Sequence, residues 1–326
     1  MHSFDTNGKR TLNRLIKKLT AFFLIISSLI LVVLFLSAQD CLRRPIAVFF
    51  GCEDYITVNN GPDEIKGWLE KVSEKNNCSK LILGDSVCCQ MFSGLQWCND
   101  DICIAGTNGA VTMAGQYILL TKFLENHEKV TDVWLVVLPN SLQVYVNKYV
   151  GYQYVVMPFV ESDTFKLLDN NTQCTIANSF GRYALNPKFV SFLYKSVLAR
   201  KIYLNYIMNN YREPDEEWPI SSIATNYLGK MKKLCDEKGV KLHLLPAPLP
   251  DNQQSLEFVD LFKAEFINSE IGRLFPEYLD AISFYPAEQF VDGAHFGGEY
   301  AEQDAYNEKI IEMYSCDELV NYLKFE

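Results

Sequence analysis

The stretch Leu81-Ile82-Leu83-Gly84-Asp85-Ser86 decides how this chain is read: an apolar run that stops at Gly-Asp-Ser. Consecutive apolar residues without alternation suit a strand buried on both faces. Gly and Asp then turn the chain, and the serine opens a new helical stretch. Comparable runs occur at Ile102–Ala105, Val133–Leu138, Val240–Leu245 and Ile282–Phe284. Helical patterns cover 63–75, 112–126, 180–208, 220–238, 255–267 and 299–313. This alternation predicts an α/β fold with a central parallel sheet covered on both faces, and with its chemistry in loops at the strand C-termini. Residues 139–180, rich in Tyr, Val and Asn, fit the alternation poorly and read as an insertion over the active face.

Upstream of this pattern the composition changes. Residues 1–18 carry Lys9, Arg10, Arg14, Lys17 and Lys18 against Asp5 alone, a charge of +4, which leaves −14 for the rest of a chain whose total is −10. Leu19 to Ala38 are twenty uncharged residues, long enough at 1.5 Å per residue to cross roughly 30 Å of hydrocarbon. Leu36 does not suit a small-x-small cleavage site before Gln39, and Asp40 precedes Cys41 where a lipoprotein signal needs a small residue. The segment therefore reads as a retained anchor. By the positive-inside rule its basic flank is cytoplasmic and the remainder extracytoplasmic at the cell membrane. The expected organisation is a basic tail (1–18), a transmembrane anchor (19–38), a juxtamembrane tether (39–62) and one exported domain (63–326).

The 326 residues are 48% apolar, with a mean hydropathy of −0.03, which excludes a disordered chain. The acidic balance argues against nucleic acid as a partner. All ten cysteines, at 41, 52, 78, 88, 89, 98, 103, 174, 235 and 316, follow the anchor. An even number in an oxidising compartment permits disulfides without fixing their connectivity. No pair of CxxC units occurs, so neither a metal site nor a cofactor is expected. Cys88 and Cys89, as chain neighbours, point apart and read as packing residues.

A serine at a strand-to-helix turn is exposed, near backbone N–H groups able to stabilise an oxyanion. It needs a base, and the base needs a partner that fixes its tautomer. Phe290-Val291-Asp292-Gly293-Ala294-His295-Phe296-Gly297-Gly298 can supply both from one loop. Of the four histidines, His2 lies in the basic tail, His127 at a polar helix end and His243 in a strand. His295 is the candidate base and Asp292 its partner.

In this order, the Gly-Asp-Ser strand end and the late Asp-x-x-His loop resemble the SGNH/GDSL hydrolase superfamily, over roughly residues 78–315. The resemblance implies a three-layer flavodoxin-like fold, with Ser86 as nucleophile, His295 as general base and acid, and Asp292 as its orienting partner. It implies an oxyanion hole built from the Ser86 amide, the Gly106 amide in Ile102-Cys103-Ile104-Ala105-Gly106, and the Asn140 side chain after Val133–Leu138. The segment Leu138-Pro139-Asn140 departs from the family's Gly-x-Asn-Asp form, and Asn108 is the alternative donor. Asp85 reads as a structural residue holding the turn.

Such a site supports acyl transfer through an acyl-serine. An SGNH domain on a single N-terminal anchor looks like the partners of membrane-bound O-acyltransferases in polysaccharide O-acetylation and D-alanyl transfer. The expected function is transfer of an O-acetyl or similar acyl group to a cell-envelope polysaccharide. The alternatives are a membrane-anchored carbohydrate or lipid esterase and a non-catalytic surface scaffold. Trp97, Tyr145, Tyr149, Tyr152 and Tyr154 either stack on sugar rings or pack beneath a lid.

Overall fold

The computed structural model describes residues 6–53, 60–92, 102–107, 109–110, 112–145, 156–210 and 220–297; the side chains of 6–10, 60–64 and 208–210 are not among them. The chain divides into two compact units, Met1–Asn59 with Ser191–Asn209, and Asn60–Val190 with Asn210–Glu326.

The first unit begins with helix α1 (Thr6–Leu36), whose segment Thr11–Leu36 is long and apolar enough to cross a membrane. A second helix, α2 (Asp40–Phe49), occupies the stretch expected to be a plain tether. Its segregated polar and apolar residues explain the helix, since Ala47 and Ile46 pack with Val33, Leu34, Val197 and Leu198. Ser37 Oγ lies 2.6 Å from Ser196 Oγ, and both hydroxyls donate to the Leu34 carbonyl (2.7 and 2.9 Å). Lys201 Nζ donates to the carbonyls of Phe50 and Gly51 (3.2 and 2.9 Å), end groups that α2 leaves unpaired.

The second unit holds α3 (Asn60–Lys71), β1 (Lys80–Gly84), α4 (Ser86–Phe92), β2 (Ile102–Gly106), α5 (Met113–Asn126) and β3 (Asp132–Val137). After β3 come a 3-10 turn (Pro139–Gln143), α6 (Met157–Glu161) and α7 (Asn170–Phe180); the chain then enters the first unit's segment Ser191–Asn209 within α8 (Pro187–Lys195) and leaves it at the end of α9 (Val197–Asn210). The remainder is α10 (Ser222–Glu237), β4 (Lys241–Pro246), β5 (Leu249–Asp251), α11 (Gln253–Phe266), α12 (Glu270–Leu274) and β6 (Phe284–Pro286).

Four strands form a parallel sheet in the order β2-β1-β3-β4. Alternate residues face opposite layers. Ile82, Ile104, Trp134 and Val136 pack against Val87, Cys88, Met91 and Phe92 of α4 and against Val259 of α11. Leu81, Leu83, Val133 and Leu135 are also buried, and α5 and α10 pack on each other and on the sheet. Burial on both faces is why these strands are continuous apolar runs. The chain visits β2 on one side of β1 and then β3 on the other, so the direction of winding reverses between β1 and β3. The carboxyl ends of these two strands flank the position where open α/β sheets form a crevice.

The terminal part departs from the sequence pattern. The expected strand Ile282–Phe284 is shifted to Phe284–Pro286 and pairs with β5 as a separate two-stranded parallel ladder. The β5 strand contains Pro250, a residue that reads as a breaker; a short edge strand tolerates it. The helical pattern over 180–208 is broken at Gly181, whose φ is +85°, and again at Ser196, between α8 and α9. Described residues of 139–180 are helical or turn segments, and the pattern at 299–313 lies outside the described residues.

Candidate active site

Gly84 ends β1 where two neighbours press on it. A Cβ there would lie 2.0 Å from the Val136 carbonyl oxygen and 2.4 Å from Cys88 Cβ, so no side chain fits. Asp85 follows, fully buried, and its carboxylate gathers four donors. Oδ1 accepts from the amides of Val87 and Cys88 (3.1 and 3.3 Å), and Oδ2 from the Leu138 amide and Ser141 Oγ (2.8 and 2.7 Å). Burial pushes this carboxyl above its ordinary value against the opposing pull of those donors, Ser141 first. Asp85 thus ties the first turn of α4 to the end of β3 and fixes the direction in which Ser86 leaves the sheet.

Ser86 is half-buried, and its hydroxyl lies 2.8 Å from His295 Nε2. His295 Nδ1 is 3.0 Å from Asp292 Oδ2. A carboxylate only accepts, which assigns the ring proton to Nδ1 and leaves Nε2 to accept from the serine. Asp292 Oδ1 also accepts from the amides of Ala294 and His295, both at 2.7 Å, an Asx turn that holds the loop in shape. Desolvation raises the Asp292 carboxyl, but the His295 and Ala294 amides and the His295 ring together outweigh it and hold it below its ordinary value. The pair is open to solvent, with side chains 40% and 54% exposed, so a reactant can reach it.

The loop is anchored at its base. Phe290 and Phe296 form an antiparallel bridge and stack at 4.6 Å, and the Val291 amide donates to the His295 carbonyl (3.0 Å). Gln90 reaches this base from α4. Its Nε2 donates to the Phe296 carbonyl and its Oε1 accepts the Phe296 amide, both at 3.2 Å. Sequence reasoning missed Gln90. The available signal was its position one helical turn after Ser86, on the same face of α4. Gln116 was also missed. It is buried, and its Nε2 ties the Gly84 carbonyl (2.9 Å) to the Ala110 carbonyl (2.7 Å).

Gly106 ends β2 in register with Gly84. A Cβ on it would meet Cys89 N at 2.7 Å and Cys89 Cα at 2.8 Å, so the glycine admits the backbone of α4 against the edge strand. The neighbouring Thr107 amide donates to the Gly84 carbonyl (3.2 Å), and Thr107 Oγ1 accepts the Gly109 amide (3.1 Å). Asn140 is exposed in the 3-10 turn after β3, beside the Leu138 and Ser141 groups that Asp85 binds. Asn108, Trp97, Tyr149, Tyr152 and Tyr154 lie outside the described residues. Tyr145 borders a separate cavity of about 580 Å³, with Asp169, Thr172, Ser222 and Asn226, which neither Ser86 nor His295 lines.

The other histidines have different surroundings. His243 stacks on Trp134 (5.3 Å) and places Nε2 3.1 Å from Asp132 Oδ1. His127, read as part of a polar helix end, is instead buried. The described cysteines (41, 52, 78, 88, 89, 103, 174 and 235) are thiols, and burial raises Cys88 well above its ordinary value. No protein-family model, curated protein or solved structure matches the chain.

Proposed function

We propose that the chain is a serine-dependent acyl-transfer enzyme of the SGNH/GDSL type, held to a membrane by α1. The observation that carries this reading is the hydrogen-bonded series Ser86 Oγ, His295 Nε2, His295 Nδ1, Asp292 Oδ2, with links of 2.8 and 3.0 Å. The strand order β2-β1-β3-β4 supports it, being the first four places of the flavodoxin-like order, with Ser86 at the switch point.

In this mechanism Ser86 Oγ attacks an acyl carbonyl while its proton passes to His295 Nε2. Asp292 stabilises the imidazolium. The Ser86 amide, the Gly106 amide and the Asn140 side chain (Asn108 in its place as the alternative) hold the oxyanion, each donor worth about 3 kcal/mol. Collapse breaks the bond to the leaving oxygen, which takes the proton from His295. An acceptor hydroxyl then attacks the acyl-serine, gives its proton to His295 and restores Ser86.

With the N-terminus cytoplasmic and the second unit outside, the acceptor is a cell-envelope polysaccharide and the donor an acyl carrier of a membrane-bound O-acyltransferase. A membrane-anchored esterase uses the same residues with water as acceptor. The test uses the full chain in detergent with a chromogenic acyl ester, with and without added oligosaccharide. Acyl groups on the sugar, with hydrolysis suppressed, support transfer. Hydrolysis unaffected by sugar makes the protein an esterase, and no turnover of any ester contradicts both.

A further inference from the structure

A second cluster of reactive side chains lies at the other end of the sheet. Cys78 precedes β1 by two residues, Cys103 is the second residue of β2, and His127 follows the last residue of α5. They are 1%, 2% and 3% exposed, and their ligand atoms all lie within 4.8 Å of one another. His127 Nδ1 is 2.8 Å from the Phe123 carbonyl oxygen. A carbonyl only accepts, so the proton sits on Nδ1 and Nε2 carries a lone pair. That Nε2 is buried and has no hydrogen-bond partner. A backbone carbonyl fixing one ring nitrogen while the other is left as a buried acceptor is the arrangement of a metal-ligating histidine.

We propose that Cys78 Sγ, Cys103 Sγ and His127 Nε2 form a three-ligand site for a thiophilic divalent cation of the Zn²⁺ type, with a water completing the tetrahedron. Zinc bonds of 2.0–2.3 Å put ligand atoms roughly 3.3–3.8 Å apart in a tetrahedron, so the cluster closes on the ion by small side-chain movements. Binding displaces one proton from each thiol. Two thiolates, a neutral imidazole and a dication sum to zero, the charge a buried site tolerates best. Asn76 lies just outside the ligands: its Nδ2 donates to Cys103 Sγ (3.4 Å), and its Oδ1 accepts the Cys78 amide (2.9 Å). The hydrogen bond with Cys78, then burial, holds the Cys103 thiol above its ordinary value, against the smaller opposing pulls of the Asn76 hydrogen bond and then the Lys71 ammonium. The ion's role is to clasp the starts of β1 and β2 to the end of α5, far along the strands from Ser86.

The experiment loads the reduced full chain with Zn²⁺, desalts it and measures bound metal and intact mass, then repeats the loading with Co²⁺. One zinc per chain and a thiolate-to-cobalt charge-transfer band are expected. Cys103→Ser and His127→Gln lose the stoichiometric zinc, whereas Cys235→Ser, at a buried thiol elsewhere, keeps it. A reduced wild-type chain that binds no zinc and gives no thiolate band overturns the proposal, and that result needs no variant to fold. A Cys78–Cys103 disulfide in the chain as isolated, lighter by two hydrogen atoms, overturns it as well.

Discussion

The two ends of the parallel sheet use similar residues under opposite conditions. At the carboxyl ends of the strands, His295 and Asp292 stand in solvent on a loop, and the His295 ring mediates between Ser86 and Asp292. At the amino ends, His127 is buried between two thiols with one nitrogen bound to the backbone. Under the two proposals, the same imidazole would serve as a proton relay where a reactant can enter and as a fixed ligand where none can. The difference lies in what each end leaves accessible, and the fold supplies it: loops leave the sheet at one end, while the core closes over the other.

That contrast breaks most visibly at Ser86 and His295. Ser86→Ala and His295→Ala should each reduce acyl-ester turnover by up to about 10⁶-fold, and the double variant should lose little more, because the pair acts as a unit. Steady-state rates of the three proteins check this, and additive losses contradict it. Asp292→Asn leaves the loop in place but loosens the tautomer; a loss of up to about 10⁴-fold is expected in the same assay. Gly84→Ala attacks the support beneath the site, since its new Cβ would lie 2.0 Å from the Val136 oxygen. A loss of at least about 4 kcal/mol in denaturant unfolding should follow.

Gln90→Ala sharpens the comparison by acting through the backbone of the His295 loop. As a positioning residue it should lower kcat by about 10²-fold while leaving KM nearly unchanged. Cys235→Ser, at a buried thiol that belongs to neither cluster, should do neither. The smallest effect belongs to Asp169, the cap of α7, which accepts from the Thr172 amide and Asn226 Nδ2 (both 2.7 Å) and pairs with Lys230. Some desolvation raises its carboxyl, but Lys230, Thr172 and Asn226 pull it well below its ordinary value. A depressed folded pKa makes its contribution fully present above the ordinary carboxylate range and lost as pH falls through the depressed value. Asp169→Ala should cost about 1 kcal/mol at neutral pH, with the gap to wild type closing in strong acid.

The sheet strands were legible because burial on both faces forces unbroken apolar runs such as Val133–Leu138. Ser86, Asp292 and His295 were legible as residue types in motifs, each at a turn its neighbours demand. Gln90 was not, since its partner Phe296 lies 206 residues away and any helix face carries polar residues. The Cys78, Cys103 and His127 cluster escaped for the same reason: strand pairing and a helix end assemble it, with no spacing to betray it. Leu249–Asp251 was hidden by Pro250 within it and Pro248 just before it, and the helix Asp40–Phe49 by Pro45, which sits inside it.

Covalent labelling asks whether His295 activates Ser86 as a nucleophile. The full chain should take up a single fluorophosphonate adduct, mapped by mass spectrometry to Ser86, abolished in Ser86→Ala and slowed at least about 10³-fold in His295→Ala. An unlabelled chain, or an adduct that persists in Ser86→Ala, would show that Ser86 is not the nucleophile.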